Sequence, residues 1–217
     1  MPRRLALLLL ILVLPLVSQA QIRFLPDEFE RVDVIAIERD ERNLYSFDAL
    51  TGRRSVVRLE AGEDLLFERI RGRIGLVLTN RRALGVAPGV DWRELRYRLQ
   101  EHAPEVGVVE DQIALVVTDR RALGFSGQGY WVEQRFNSHE SAKALRVGSA
   151  AGVVVTNRRV LGMAPNLNRF IEIELQLKES LESVAAQGTL VTLRTDRRIL
   201  VFSGPRGTWS EQNRLLK

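Results

Sequence analysis

Apolar residues in this chain come in short, often β-branched runs separated by polar turns. Residues 113–117 and 152–155 are continuously apolar, the pattern of a strand covered on both faces. The run then closes on Thr, Asp or Asn, and Arg-Arg. Asp and Asn bond to the backbone just after themselves and tolerate the left-handed conformation, so this closing predicts a tight turn. Residues 122–125 return as the antiparallel partner, a Gly-rich bend follows, and residues 131–136 make a third strand. Residues 143–147, with counterparts at 105–109 and 183–186, supply a fourth. No segment keeps a helical period. Residues 92–101 can be drawn amphipathic, but their counterparts at Trp131 and Trp209 cannot.

The runs are copies of one another. LVLTNRRALG from Leu76 is followed by LVVTDRRALG from Leu115, VVVTNRRVLG from Val153 and TLRTDRRILV from Thr192. A weaker copy, IAIERDERNLYSF, opens the series at Ile35. With the Asp or Asn as marker the copies stand at Asp40, Asn80, Asp119, Asn157 and Asp196, spaced by 40, 39, 38 and 39 residues. An aromatic-x-Glu triplet follows each of the last four markers, at Trp92, Trp131, Phe170 and Trp209. Four short strands with their turns fill such a period. Five antiparallel four-stranded units predict an all-β, five-bladed β-propeller over residues 21–217 as a single domain. A solenoid is the alternative architecture, but it calls for polar end caps, which this reading does not find. In this phase no strand is left to cross between the chain ends, so ring closure is expected from the first blade packing on the last.

The first 20 residues read differently. Arg3 and Arg4 precede a 13-residue apolar stretch, Leu5 to Val17, and Ser18-Gln19-Ala20 has small residues at the −3 and −1 positions of a cleavage site. Such a stretch spans about 20 Å as a helix, short of a ~30 Å hydrocarbon core, and Pro15 interrupts it. Residues 1–20 are therefore expected to be a cleaved secretory signal. The expected product starts at Gln21, is not an integral membrane protein, and works in the bacterial periplasm or outside the cell. Cysteine is absent, which excludes disulfides, thiol catalysis and Cys-ligated metals.

Charge narrows the partners. The chain has 32 Lys+Arg against 27 Asp+Glu, and loss of Arg3 and Arg4 takes the net charge from +5 to +3. All but three of the cations are Arg, interleaved with acids, and no concentrated basic face for nucleic acid is present.

The rhythm of Gly107, Asp119, Gly127 and Trp131, with Leu50-Thr51-Gly52-Arg53 as a T-G turn, resembles WD-type and quinoprotein-type propeller repeats. That resemblance covers about residues 22–216, is architectural, and implies the fold. The T-x-x-R hairpin is also similar to one in bacterial pleckstrin-like domains, which use it once; five copies argue against that assignment.

Arg42, Arg82, Arg121, Arg159 and Arg198 recur at the second Arg position and are the candidate ligand-binding set, since guanidinium suits planar oxyanions such as acidic glycans. A residue repeated in every blade also serves the frame: Arg121 and Glu133 can meet diagonally across strands, with the Trp131 ring beside them. His102 and His139 are candidates for partner-facing loops. Neither belongs to a recognisable triad or metal set, and Asp40 and its counterparts lack calcium-loop spacing, so no catalytic residue, metal or cofactor is expected. The expected function is that of a monomeric, non-enzymatic binding or scaffold propeller with a protein partner. The alternatives are a lectin-like glycan binder and a hydrolase or lyase using acids such as Glu101, Glu105 and Glu110.

Overall fold

The computed structural model describes residues 32–104 and 106–214. The described residues form one compact unit, and all their regular structure is β. The expected signal peptide, Gln21 and Glu105 lie outside the described residues.

The fold is all-β: five antiparallel sheets, the blades of the expected propeller, follow one another along the chain. Blade I contains β1 (Ile35–Arg39), β2 (Asn43–Asp48) and β3 (Arg54–Arg58). Blade II runs β4 (Leu65–Arg71), β5 (Ile74–Thr79), β6 (Arg82–Ala87) and β7 (Val90–Arg96). Blade III runs β8 (Gly107–Glu110), β9 (Ile113–Val117), β10 (Arg121–Ser126) and β11 (Trp131–Arg135). Blade IV has β12 (Ala142–Val147), β13 (Gly152–Thr156), β14 (Arg159–Met163) and β15 (Ile171–Glu174). Blade V has β16 (Leu181–Gln187), β17 (Leu190–Thr195), β18 (Arg198–Ser203) and β19 (Thr208–Asn213). Every pairing is between antiparallel neighbours in sequence. Blade I has three strands among the described residues.

The core is a series of apolar layers between consecutive blades. Ile35, Ile37 and Leu44 of blade I meet Val77, Leu84 and Val86 of blade II. Leu76 and Leu78 of blade II meet Val116, Leu123 and Phe125 of blade III. Leu115 of blade III meets Leu161 and Met163 of blade IV, and Val153 and Val155 of blade IV meet Leu193, Leu200 and Phe202 of blade V. Alternate residues of each middle strand serve opposite layers, which is why those strands read as continuous apolar runs.

At each of the last three layers an aromatic or Met enters a glycine of the preceding blade. A Cβ built on Gly85 would lie 2.6 Å from the Phe125 ring, and one on Gly162 would lie 2.7 Å from the Phe202 ring. Gly124 receives Met163 in the same way. The Leu-Gly of the repeat is thus a socket, and the residue after the glycine is the plug for the socket before it.

The expected packing of the first blade on the last is not found. Among the described residues no buried apolar cluster, hydrogen bond or ion pair joins blade V to blade I. The strands of the two end blades alternate instead. In β17 only Val191, Leu193 and Thr195 are buried; in β1 only Ile35 and Ile37 are. Among the described residues one face of each end blade is therefore open, and on blade V it is polar, as in the end caps that the sequence reading did not find.

The structure also corrects the first marker. In blade II the Thr79 hydroxyl accepts hydrogen bonds from the N–H groups of Arg81 (3.1 Å) and Arg82 (3.0 Å). In blade I that acceptor is the Asp40 carboxylate, at 3.0 Å from Arg42 N and 2.7 Å from Asn43 N. Asp40 thus holds the Thr position, Glu41 the marker position, Arg42 the first Arg position and Asn43 the second. A carboxylate does the work of a hydroxyl here, so matching Asp to Asp shifted the copy by one residue.

Candidate functional site

Four of the five arginines chosen from the repeat sit in one repeated, buried arrangement. The Arg82 side chain donates from Nε to Glu63 Oε1 (2.8 Å) and from Nη2 to Glu63 Oε2 (2.9 Å). Its Nη1 reaches Glu94 on β7, and Nη2 also donates to the Arg58 carbonyl at the end of blade I (2.7 Å). Arg121 joins Glu101, Glu133 and the Arg96 carbonyl in the same way. Arg159 joins Glu140, Glu172 and the Arg135 carbonyl. Arg198 joins Glu179, Glu211 and the Glu174 carbonyl. Each guanidinium therefore ties its own outer strand, an interblade turn and the preceding blade together.

The acid in each turn is also held by the turn itself. Residues 60–63, 98–101, 137–140 and 176–179 close with an N–H to carbonyl bond from the Glu to the residue three before it. The same Glu carboxylate accepts the N–H of that residue, for example Asn137 N to Glu140 Oε2 at 2.7 Å. Its other oxygen takes the repeat's Thr hydroxyl: Thr79 on Glu63, Thr118 on Glu101, Thr156 on Glu140 and Thr195 on Glu179. The Thr of T-[DN]-R-R thus orders both the hairpin behind it and the acid in front.

Burial raises the pKa of these four Glu carboxyls, but the arginine, the turn N–H and the Thr hydroxyl more than reverse it, so all four lie below the ordinary glutamate value of 4.5. With the folded value depressed, the unfolded chain binds more protons in acid. Their contribution to stability is complete above pH 4.5 and is lost as pH falls through the folded values. Urea midpoints at pH 7 and pH 5 should therefore be close, with a steep fall below pH 4.5; a midpoint that holds to pH 3 would contradict this.

Arg42 is not part of such a group. It lies exposed with Arg81, Arg120, Arg158 and Arg197 at the first Arg position. Arg81 pairs with Glu60 at 3.0 Å, Arg120 Nε reaches the Gln100 carbonyl at 3.3 Å, and Arg197 reaches the Gln176 side chain at 3.2 Å. All five occur on the edge that carries the β1–β2, β5–β6, β9–β10, β13–β14 and β17–β18 turns. Leu99 and Leu177, in the interblade turns of that edge, are 92% and 85% exposed. Open grooves lie there, one lined by Arg98, Leu99, Arg120, Arg135 and His139, another by Arg158, Glu174, Leu177 and Lys178.

The two histidines also lie on this edge. His102 is exposed and its Nδ1 is 2.9 Å from Asp119 Oδ2. His139 holds φ of 61° just before the turn's Glu, the place of Gly62 (69°), Gln100 (63°) and Lys178 (62°) in the other turns. A left-handed non-glycine residue costs about 1 kcal/mol. His139→Gly or Lys178→Gly should raise stability by about 0.5–1 kcal/mol in urea titrations; a loss would show that the side chain contributes more than the backbone strain removes.

Of the acids considered for hydrolysis, Glu101 is occupied by Arg121 and Thr118, and Glu110 lies 3.4 Å from Arg71. Among the described residues no group of three or more His, Asp or Glu is placed to hold a metal ion, and no helix is long and apolar enough to cross a membrane. The Trp131 ring does not lie over Arg121. It tilts against Phe125 (4.9 Å between centroids) and its Nε1 donates to the Arg93 carbonyl of blade II (3.0 Å), and Trp209 repeats this with Phe202 and Ile171.

No protein-family model matches the sequence, and no curated protein does. The chain is similar in fold to solved β-propellers. Prp20p from Saccharomyces cerevisiae shares 8% identity at a TM-score of 0.41, over 79% of this chain and 55% of that one. A HIRA fragment shares 11% at 0.39, over 84% and 58%. Kluyveromyces lactis Hsv2 shares 12% at 0.35, over 79% and 59%. The chain thus spans little more than half the length of the structures it resembles.

Proposed function

We propose that the protein is an exported, non-enzymatic binding propeller that engages an envelope or extracellular protein through the turn-bearing edge. The observation that carries this reading is the division of labour between adjacent arginines. The second of each pair in blades II to V is consumed by the frame, whereas the first stands exposed in every blade, beside Leu99 and Leu177. Exposed Arg interleaved with protruding apolar side chains is the composition of protein-binding surfaces. The expected form is a monomer starting at Gln21, which N-terminal sequencing of the exported protein checks. A photoreactive residue at Leu99 or Leu177 should crosslink to one envelope component, and the same residue at Gln128, on the opposite edge, should not. Equal yields at both edges would sink the assignment of the face.

The same arginines favour a second reading, lectin-like binding of acidic sugars, because a guanidinium pairs with planar oxyanions. An array of acidic and neutral glycans separates the two: silence across it removes the lectin. Binding that survives Arg120→Ser with Arg158→Ser removes this site as the cause.

A further inference from the structure

The open faces of the two end blades are not equivalent. Blades III, IV and V plug their predecessors with the residue six places beyond the marker, Phe125, Met163 and Phe202, and the counterpart in blade II, Val86, is buried against blade I. With Glu41 as the marker of blade I, the corresponding plug is Phe47. Phe47 is 37% exposed, flanked on the same face by Tyr45 and by Val56 at 59%, and the Arg54 guanidinium lies 5.6 Å from its ring centre. Among the described residues blade I therefore presents a plug with no socket, on a face that also carries Glu38.

Blade V presents the opposite face with the socket filled. Where Gly85, Gly124 and Gly162 stand, it has Val201. In place of Leu76, Leu115 and Val153 it has Thr192, and in place of Leu78, Val117 and Val155 it has Arg194. Arg194 lies 2.9 Å from Glu182, also on blade V. A plug approaching this face in the geometry of the other layers would meet two methyl groups and a paired charge.

We propose that the open face of blade I docks the glycine-bearing face of a β-sheet in a different chain. Val201, Thr192 and Arg194 exclude blade V, of this chain or of a second copy, from that role. The partner's chemistry follows from continuity with the four interblade layers: a twisted apolar sheet face with a glycine opposite Phe47 and aliphatic residues on the strand beside it. This surface is separate from the turn-bearing edge, so neither reading depends on the other.

The probe is this chain with a socket restored and its own plug removed: Thr192→Leu, Arg194→Val, Val201→Gly and Phe47→Asp together. Sedimentation of wild type with the probe should give a 1:1 complex, wild type alone should stay monomeric at the same concentration, and Phe47→Asp in the wild-type chain should weaken the complex at least tenfold. A folded probe that does not bind, or binding unaffected by Phe47→Asp, would overturn the proposal. Self-association of wild type would make a second copy the occupant and overturn the exclusion. The single variant Phe47→Asp decides the matter if the probe fails to fold. Its melting temperature should match wild type, and a drop of several degrees would mean that residues of this chain, such as 22–31, already cover the face.

Discussion

Replacing Arg159 by Met should destabilise the protein by about 3–5 kcal/mol, because it leaves Glu140 buried without its counter-charge. The Glu140 side chain has no exposed area and receives both Nε and Nη2 of Arg159. The same change removes the donor that binds the Arg135 carbonyl of blade III, so the III–IV junction and the blade weaken together. Glu140→Leu combined with Arg159→Met should recover most of the loss, since two buried charges replaced by packed apolar groups can be neutral or better. Equilibrium urea unfolding of the two single variants and the double closes the cycle. Single-variant costs below about 1 kcal/mol would mean that solvent reaches the group and that it acts as an ordinary surface pair.

The second large effect is expected at the sockets. Gly162→Val should cost about 3 kcal/mol or more, the upper range for overpacking, because its side chain would meet the Phe202 ring with no free space to yield. The mirror change, Val201→Gly, should cost no more than about 1 kcal/mol, the backbone penalty of a glycine in a strand, as nothing among the described residues enters that position. Both are read from melting curves of the same protein. Similar losses at Gly162 and Val201 would show that blade V is covered after all.

Much of this was legible beforehand. Apolar runs such as 113–117 and the turn chemistry after them located the strands to within a residue or two, and the diagonal between Arg121 and Glu133 followed from hairpin geometry. The structural role of the buried acids was missed, including that of Glu101, which the sequence offered as a catalytic acid. Glu63, Glu101, Glu140 and Glu179 lie in turns whose other residues differ from copy to copy, so no motif surrounds them. Their signal was a Glu held 17 or 18 residues before each of the last four markers. The misaligned first copy has a chemical cause, the exchange of Thr for Asp as the turn's acceptor. The open end faces were also written in the chain. Thr192-Leu193-Arg194 alternates where its three counterparts are continuously apolar, and alternation marks a strand buried on one side. Seen only as imperfect repeats, these segments concealed their role as ends.

The glycine sockets bear on how such a chain can change in length. Blade III carries a plug, Phe125, that fits the glycine of blade II, and a socket, Gly124, that accepts Met163 of blade IV. Its guanidinium reaches back to the blade before it, and its last strand offers a carbonyl to the blade after it. A tandem duplication of residues 98–136 would therefore present a matching surface at each of the three junctions it touches. Blade V could not be copied in this way, because Val201 would face the plug of its own duplicate. Lengthening by internal duplication is open to the middle of the chain, and the polar final blade sets where it stops.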